Sequence, residues 1–239
     1  MKIALIGYGK MGKEVEALAK DRKHEIIVTI DKAGFTKKAL MALKNADVAI
    51  EFSTPETAFD NFLKCFEYGV PVVSGTTGWL GRFKELEDVC KSKNAGFFYA
   101  SNFSLGVNLF FEINKKLAQL ISPYSDYQLS IEEIHHTKKL DAPSGTAISL
   151  ANDIIAEQNQ KTTWVCNTDA LENEIPISAI RIENITGTHT IKYDSPVDCI
   201  EISHKAKNRK GFALGAIIAA EFMNGKKGIY GMKELLQIV

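Results

Sequence analysis

Three glycines near the start of the chain do most to limit what it can fold into. Gly7, Gly9 and Gly12 stand in G-x-G-x-x-G spacing directly after the apolar run Ile3, Ala4, Leu5 and Ile6. That run suits a central parallel strand, and Met11, Val15, Leu18 and Ala19 mark one face of a following helix. At such a strand-to-helix turn Gly7 permits the tight bend, Gly9 lets the backbone approach a pyrophosphate, and Gly12 lets the helix pack closely on the strand. A second strand, Glu25 to Ile30, ends at Asp31, whose carboxylate is placed to accept the adenosine ribose hydroxyls of a dinucleotide. Lys32 pulls the other way, because an ammonium there can pair with a 2′-phosphate, so NADH and NADPH both stay open.

The alternation continues with strands at Asp47 to Phe52, Pro71 to Ser74 and Phe97 to Ala100, separated by helical patterns. Their C-terminal ends carry Phe52-Ser53-Thr54, Gly75-Thr76-Thr77 and Ser101-Asn102-Phe103. In an open parallel sheet those ends border the ligand crevice, so the nicotinamide half of the cofactor is expected to run past them. After Asn102 the pattern changes. A helix over about 105–121 precedes strands at about 128–134, 162–168, 177–185, 188–193 and 197–204 without regular helices between them. The expected class is α/β: a Rossmann-type parallel sheet over 1–102, then a second α+β domain over 103–212 built on a mixed or antiparallel sheet. The tail from about 213 to 239, read as helix then turn, is expected to pack back on the first domain.

The stretch Ile131 to Thr146, IEEIHHTKKLDAPSGT, is too polar for a core element. It begins as the end of a strand, since Leu129, Ile131 and Glu133 alternate with Ser130, Glu132 and Ile134. It ends as the start of a helix, which puts Ser144, Gly145 and Thr146 where hydroxyls and unpaired N–H groups receive an anion. A strand tip carrying His135, His136, Lys138 and Lys139 beside such a helix mouth suits a small anionic substrate that must be protonated or polarised. A metal is not expected at His135-His136: neighbouring strand positions point to opposite faces, and no cysteine or third histidine follows at ligand spacing.

Bulk properties narrow the function classes. The 29 basic and 29 acidic residues cancel, which favours neither nucleic acid nor an anionic membrane as partner. Cys65, Cys90, Cys166 and Cys199 are widely spaced and read as small apolar residues of a reduced compartment. No uncharged apolar stretch reaches spanning length, and the chain opens into a strand rather than a signal peptide.

The HHTKKLDAPSGTA segment, the glycine motif, Gly75-Thr76-Thr77-Gly78, the run Ser101 to Asn108, Ser203-His204-Lys205-Ala206 to Arg209, and Tyr230-Gly231-Met232 together resemble the 4-hydroxy-tetrahydrodipicolinate reductase family. The resemblance covers the whole chain in order. It implies NAD(P)H-dependent reduction of 4-hydroxy-tetrahydrodipicolinate, after loss of water, in lysine and diaminopimelate biosynthesis. It matches His135 to an acid/base histidine, Lys139 to a catalytic lysine, His136 to a substrate contact, and Gly145 and Thr146 to the pair that holds a substrate carboxylate. Gly7, Lys10, Met11 and Gly12 fall on the cofactor loop, Asp31 on the ribose, and Gly75 to Thr77 with Ser101 to Phe103 on the nicotinamide side. A cytoplasmic homotetramer is implied as well. The chain departs from the family where a glycine often stands two places after the arginine matching Arg181: here it is Glu183, with only Gly187 and His189 kept from that R-x-G…G-x-H pattern. This strand is expected to lie outside the catalytic signature. Two other readings stand beside the resemblance: another NAD(P)-dependent amino-acid or imine oxidoreductase, and a non-catalytic dinucleotide sensor.

Overall fold

A computed structural model describes residues 1–167, 169–208 and 210–238. The chain divides into two compact units, Met1–Leu105 with Lys210–Val239, and Gly106–Arg209.

The first unit alternates strand and helix: β1 (Lys2–Ile6), α1 (Lys10–Asp21), β2 (Glu25–Ile30), α2 (Lys37–Leu43), β3 (Val48–Glu51), α3 (Pro55–Glu67), β4 (Val72–Ser74), a 3-10 turn at Leu80–Arg82, α4 (Phe83–Ser92) and β5 (Gly96–Tyr99). Successive strand residues face opposite sides, so each strand feeds two cores. Ala4, Ile6, Ala49, Val72 and Phe97 meet Phe59, Phe62 and Leu86 on one face. Ile3, Leu5, Val48, Ile50, Val73 and Phe98 meet Val15, Ala19, Ala216 and Ala220 on the other.

The second unit starts within α5 (Leu105–Ile121), followed by β6 (Gln128–His135), α6 (Gly145–Glu157), β7 (Thr163–Val165), β8 (Glu174–Arg181), β9 (Gly187–Asp194) and β10 (Cys199–Ala206). The strands order as β10-β9-β6-β8-β7. Here β6–β9 and β9–β10 are antiparallel while β6–β8 and β7–β8 are parallel, giving a mixed sheet. Phe110, Ala118 and Ile121 of α5 and Leu150, Ala151 and Ile154 of α6 bury Leu129, Ile131, Ile177 and Ile191 on one face. Of the strand expected at 162–168, β7 takes the first half, and residue 168 lies outside the described residues. The strand expected at 177–185 is Glu174–Arg181 instead, because Asn184 at a φ of 61° turns the chain into β9.

From Lys210 the chain belongs to the first unit: α7 (Lys210–Met223), β11 (Gly228–Tyr230) and α8 (Met232–Leu236). The closing segment is therefore more than helix and turn. Gly228–Tyr230 pairs in parallel with Gly96–Phe98, completing a sheet of order β11-β5-β4-β3-β1-β2 in which every pairing is parallel.

Candidate active site

In the first unit the glycine turn is built as its spacing predicts. Gly7 has a φ of +86°, and a Cβ there would lie 1.9 Å from the Phe52 carbonyl oxygen at the end of β3. Only glycine lets the two strand ends approach this closely. Gly9 is different: its backbone is extended, it is the N-cap of α1 without a capping side chain, and a Cβ on it would meet nothing within 4 Å. The first-turn N–H groups of a twelve-residue helix thus open onto free space, which is what a pyrophosphate requires. Two cavities share this loop. One, about 430 Å³, is lined by Gly7, Gly9, Asp31, Lys32, Phe52 and Ser53. The other, about 460 Å³, is lined by Gly9, Lys10, Met11, Gly75, Thr76 and Thr77. The donor set fits a dinucleotide, with Asp31 and Lys32 both exposed at the end of β2. Asp31→Ala is expected to weaken NADH more than NADPH in a fluorescence titration; equal weakening of both would show that the carboxylate does not read the ribose.

Several residues expected at the nicotinamide side are turned inward. Glu51, fully buried at the end of β3, accepts hydrogen bonds on Oε1 from the Ser53 N–H (2.9 Å), the Ser53 hydroxyl and the Thr76 hydroxyl (3.0 Å), and on Oε2 from the Ser74 hydroxyl (2.6 Å). The side chains of Ser53 and Thr76 are committed to shaping the loops, and Thr77 is the exposed hydroxyl of its pair. Phe103 is also core: its ring stacks on Phe98 at 5.9 Å and meets Phe52 edge-on at 5.7 Å. Ser101 is exposed, and Asn102 accepts the Ser104 N–H at 2.9 Å on its Oδ1. Glu51 had no motif to announce it; an acidic residue closing an otherwise apolar strand was the available signal.

In the second unit, alternation along β6 sends Leu129, Ile131, Glu133 and His135 to the buried face. His135 ends the strand with its Nδ1 hydrogen-bonded to the Glu133 carboxylate. The neighbouring strands deliver the rest. Parallel pairing sets Arg181 of β8 opposite His135, and antiparallel pairing sets His189 of β9 opposite Glu133. The Arg181 guanidinium lies 2.9 Å from Glu133 Oε1, and the His189 ring meets the His135 ring edge-on at 5.0 Å. His189 Nε2 is in turn 3.0 Å from the Ser144 hydroxyl. That hydroxyl accepts the Ala147 N–H as the N-cap of α6, so Ser144 is a buried structural link. Gly145 and Thr146, in the first turn, stay accessible.

The R-x-G…G-x-H positions, expected to lie apart from the His135 segment, pack directly against it. A Cβ at position 187 would sit 2.9 Å from His135 Nε2, so Gly187 makes the room the imidazole occupies. Lys139 likewise has a carboxylate partner, at turn rather than helical spacing: its ammonium donates to both Asp141 oxygens at 2.9 and 2.8 Å. Arg181 donates to the Asp141 carbonyl at 2.7 Å, tying this turn to the same cluster. A cavity of about 410 Å³ is lined by His136, Lys138, Glu183, Asn184 and Thr186; it takes in His136 but not Lys139, Gly145 or Thr146. The Nδ1 of His136 is buried without a hydrogen-bond partner among the described residues. Arg209 lies outside the described residues.

Electrostatics follow burial. Desolvation holds the His135 imidazolium below its ordinary pKa, opposed by Glu133 and reinforced by Lys139 and Arg181. Burial pushes His189 down to about 3, so it is neutral at physiological pH. Lys139 holds the Asp141 carboxyl below its usual range. Among the described residues, Glu133, His135 and His189 are the one group whose ligand-type atoms lie close enough for a metal, within 4.8 Å, so the third histidine that local spacing lacked does arrive through the sheet. Yet the Glu133 carboxylate already has a cation, Arg181, and a ring nitrogen, His135 Nδ1, as partners within the protein.

A glycine-turn dinucleotide fold and a second unit with a carboxylate-held histidine define a nicotinamide-dependent reductase. Family models agree over nearly the whole length: "Dihydrodipicolinate reductase, N-terminus" matches residues 1–103 and "Dihydrodipicolinate reductase, C-terminus" matches residues 106–236. The 4-hydroxy-tetrahydrodipicolinate reductase of Christiangramia forsetii is 50% identical over 236 residues, covering 99% of this chain and 98% of its own. That of Thermosipho africanus is 34% identical over 240 residues, covering 99% and 98%. In fold, a dipicolinate-bound dihydrodipicolinate reductase from Paenisporosarcina sp. TG-14 superposes with a TM-score of 0.78 at 24% identity, covering 98% of both chains. The chain belongs to the dihydrodipicolinate reductase family. Its activity is the NADH- or NADPH-dependent reduction of 4-hydroxy-tetrahydrodipicolinate in lysine and diaminopimelate biosynthesis.

Proposed function

We propose that the second unit binds the dicarboxylate substrate through Gly145, Thr146, His136 and Lys139, with His135 supplying the proton of the reduction. The observation that carries this is the chain from His135 through His189 to Ser144, which holds the imidazole and the start of α6 as one piece. The N–H groups of Gly145 and Thr146 have no intrahelical acceptor, and the helix dipole favours an anion there by about 0.3–1 kcal/mol when exposed. His136, which lines the cavity of about 410 Å³, is a further contact for a carboxylate. Lys139 exchanges its Asp141 partner for the substrate. The related reductase in its dipicolinate-bound form makes a planar pyridine dicarboxylate a natural probe of this site.

The reduced nicotinamide supplies the hydride, which adds at C4 of the unsaturated ring formed by loss of water. Electron density moves toward the imine nitrogen, and C3 then takes a proton. The Lys139 ammonium stabilises the developing charge more than the ground state. His135 releases its proton from Nε2, since Nδ1 is engaged by Glu133. Burial disfavours the imidazolium in the free protein, and the substrate's two negative charges favour it, so the acid is charged as substrate binds. In the first unit Gly9, Lys10 and Asp31 hold the dinucleotide.

The test follows NADH and NADPH oxidation with freshly formed product of the preceding synthase, with dipicolinate as competitor. Thr146→Val is expected to raise KM for substrate and Ki for dipicolinate together, leaving cofactor Kd unchanged. A dipicolinate affinity untouched by Thr146→Val would remove the helix start from the site.

Assembly as a cytoplasmic homotetramer belongs to the same proposal. Helices α5 and α6 pack on one face of the β10-β9-β6-β8-β7 sheet, and Val197 and Ile200 are exposed apolar residues of the same unit. No helix among the described residues is long and apolar enough to cross a membrane. Light scattering at micromolar concentration should give four times the chain mass; a monomer would refute the assembly and leave the chemistry in place.

A further inference from the structure

We infer that Glu133 is a positioning residue for His135, and that Arg181 is its counter-charge. The inference rests on the reading of His135 as the proton donor and goes beyond it, to the groups that decide which nitrogen acts and at what pH.

Geometry carries it. Glu133 is fully buried, two places before His135 on the same face of β6, and reaches His135 Nδ1 with Oε2. An ionised carboxylate can only accept, so the proton of that bond resides on Nδ1, and Nε2 is left as the exchanging atom. Nε2 points to the Gly187 side, where the missing Cβ gives it room. The other carboxylate oxygen faces Arg181 at 2.9 Å, and Arg181 is itself anchored to the carbonyls of Ile180 (2.8 Å) and Asp141 (2.7 Å). A buried carboxylate without such a partner would be costly, and the guanidinium offsets its charge inside the sheet. Two strands of the sheet thus supply what a catalytic imidazole needs: an acceptor that sets its tautomer, and a cation that offsets the acceptor's buried charge.

The charged and titratable groups around His135 are Glu133 on its own strand, Arg181 on β8, His189 on β9 and Lys139 in the following turn. Glu133 favours the imidazolium while Arg181 and Lys139 oppose it. The two members of the pair should consequently act on the acid in opposite directions. A merely structural role for either residue would not do this.

The experiment compares pH profiles of kcat/KM, which report the free enzyme's essential acid, for wild type, Glu133→Gln, Arg181→Gln and His135→Gln. In Glu133→Gln the alkaline limb should move to lower pH by about one unit, with kcat at neutral pH reduced on the order of tenfold or more and NADH Kd unchanged. In Arg181→Gln the limb should move to higher pH. Glu133→Asp should restore part of kcat and return the limb toward its original place. A limb that stays put in Glu133→Gln, or moves the same way in both variants, overturns the inference. If Glu133→Gln does not fold, Arg181→Gln decides alone: an upward shift supports the pairing and no shift overturns it. His135→Gln separates the two levels. A limb that persists there means His135 is not the titrating acid, and the underlying reading fails. A limb lost there but unmoved in Glu133→Gln sinks the positioning role alone.

Discussion

His135→Gln is expected to lower kcat by about 10²–10⁴-fold while leaving NADH Kd nearly unchanged. The substitution keeps a polar side chain that can donate to Glu133, so the buried carboxylate is not orphaned. It removes the only part of the residue that exchanges protons near neutral pH. The cofactor loop, Gly7 to Gly12, belongs to the other unit of the chain. The sign of the pH dependence follows from burial. In the free protein the imidazolium is held below its ordinary pKa, so wild-type kcat/KM should fall as pH rises through a value on the acid side of that ordinary range. Bound dianionic substrate favours the charged form, so the corresponding limb in kcat should lie at higher pH. Both limbs should vanish in His135→Gln. A kcat within a few-fold of wild type would mean that the proton comes from elsewhere, Lys139 being the nearest alternative.

How much of this was legible in the sequence depended on how local each cause was. The glycine turn is set by residues within six positions of one another, and the structure builds it as its spacing implies. The change from alternating strand and helix to clustered strands after Asn102 was also local, and the mixed sheet followed from it. What could not be read was pairing across the sheet. Nothing in the order of residues says that Arg181 will stand opposite His135 and His189 opposite Glu133; register does, and register is settled by which side chains the sheet buries. The same holds for Glu51, whose hydroxyl partners are 2, 23 and 25 positions away. The three-residue β11 was missed because so short a run carries no periodicity, and its pairing with β5 is a tertiary fact. Ser144 and Thr76 show the same limit: a hydroxyl at a helix start or strand end suggests a ligand contact, and nothing local announces that these two also serve buried partners inside the protein.

A pair of substitutions in the glycine loop should separate folding from cofactor binding. Gly7→Ala is expected to damage both. A side chain at a φ of +86° carries strain of about 1–3 kcal/mol. The new methyl also meets the Phe52 carbonyl at 1.9 Å. That oxygen belongs to backbone at the end of β3, so relief requires moving one of two paired strands, at an overpacking cost of about 1–3 kcal/mol more. The urea midpoint should drop markedly and NADH binding with it. Gly9→Ala is expected to spare the fold, because its backbone is extended and its Cβ would enter open space. That space is where the pyrophosphate is expected to approach the first-turn N–H groups of α1. A methyl there holds the phosphates off, and losing one charge-assisted hydrogen bond of about 1.5–3 kcal/mol raises Kd by about 10–150-fold. Isothermal titration with NADH and urea melts of both variants measure the two effects separately. Unchanged NADH affinity in a folded Gly9→Ala protein would mean that the dinucleotide does not cross this turn, whatever the spacing of the three glycines.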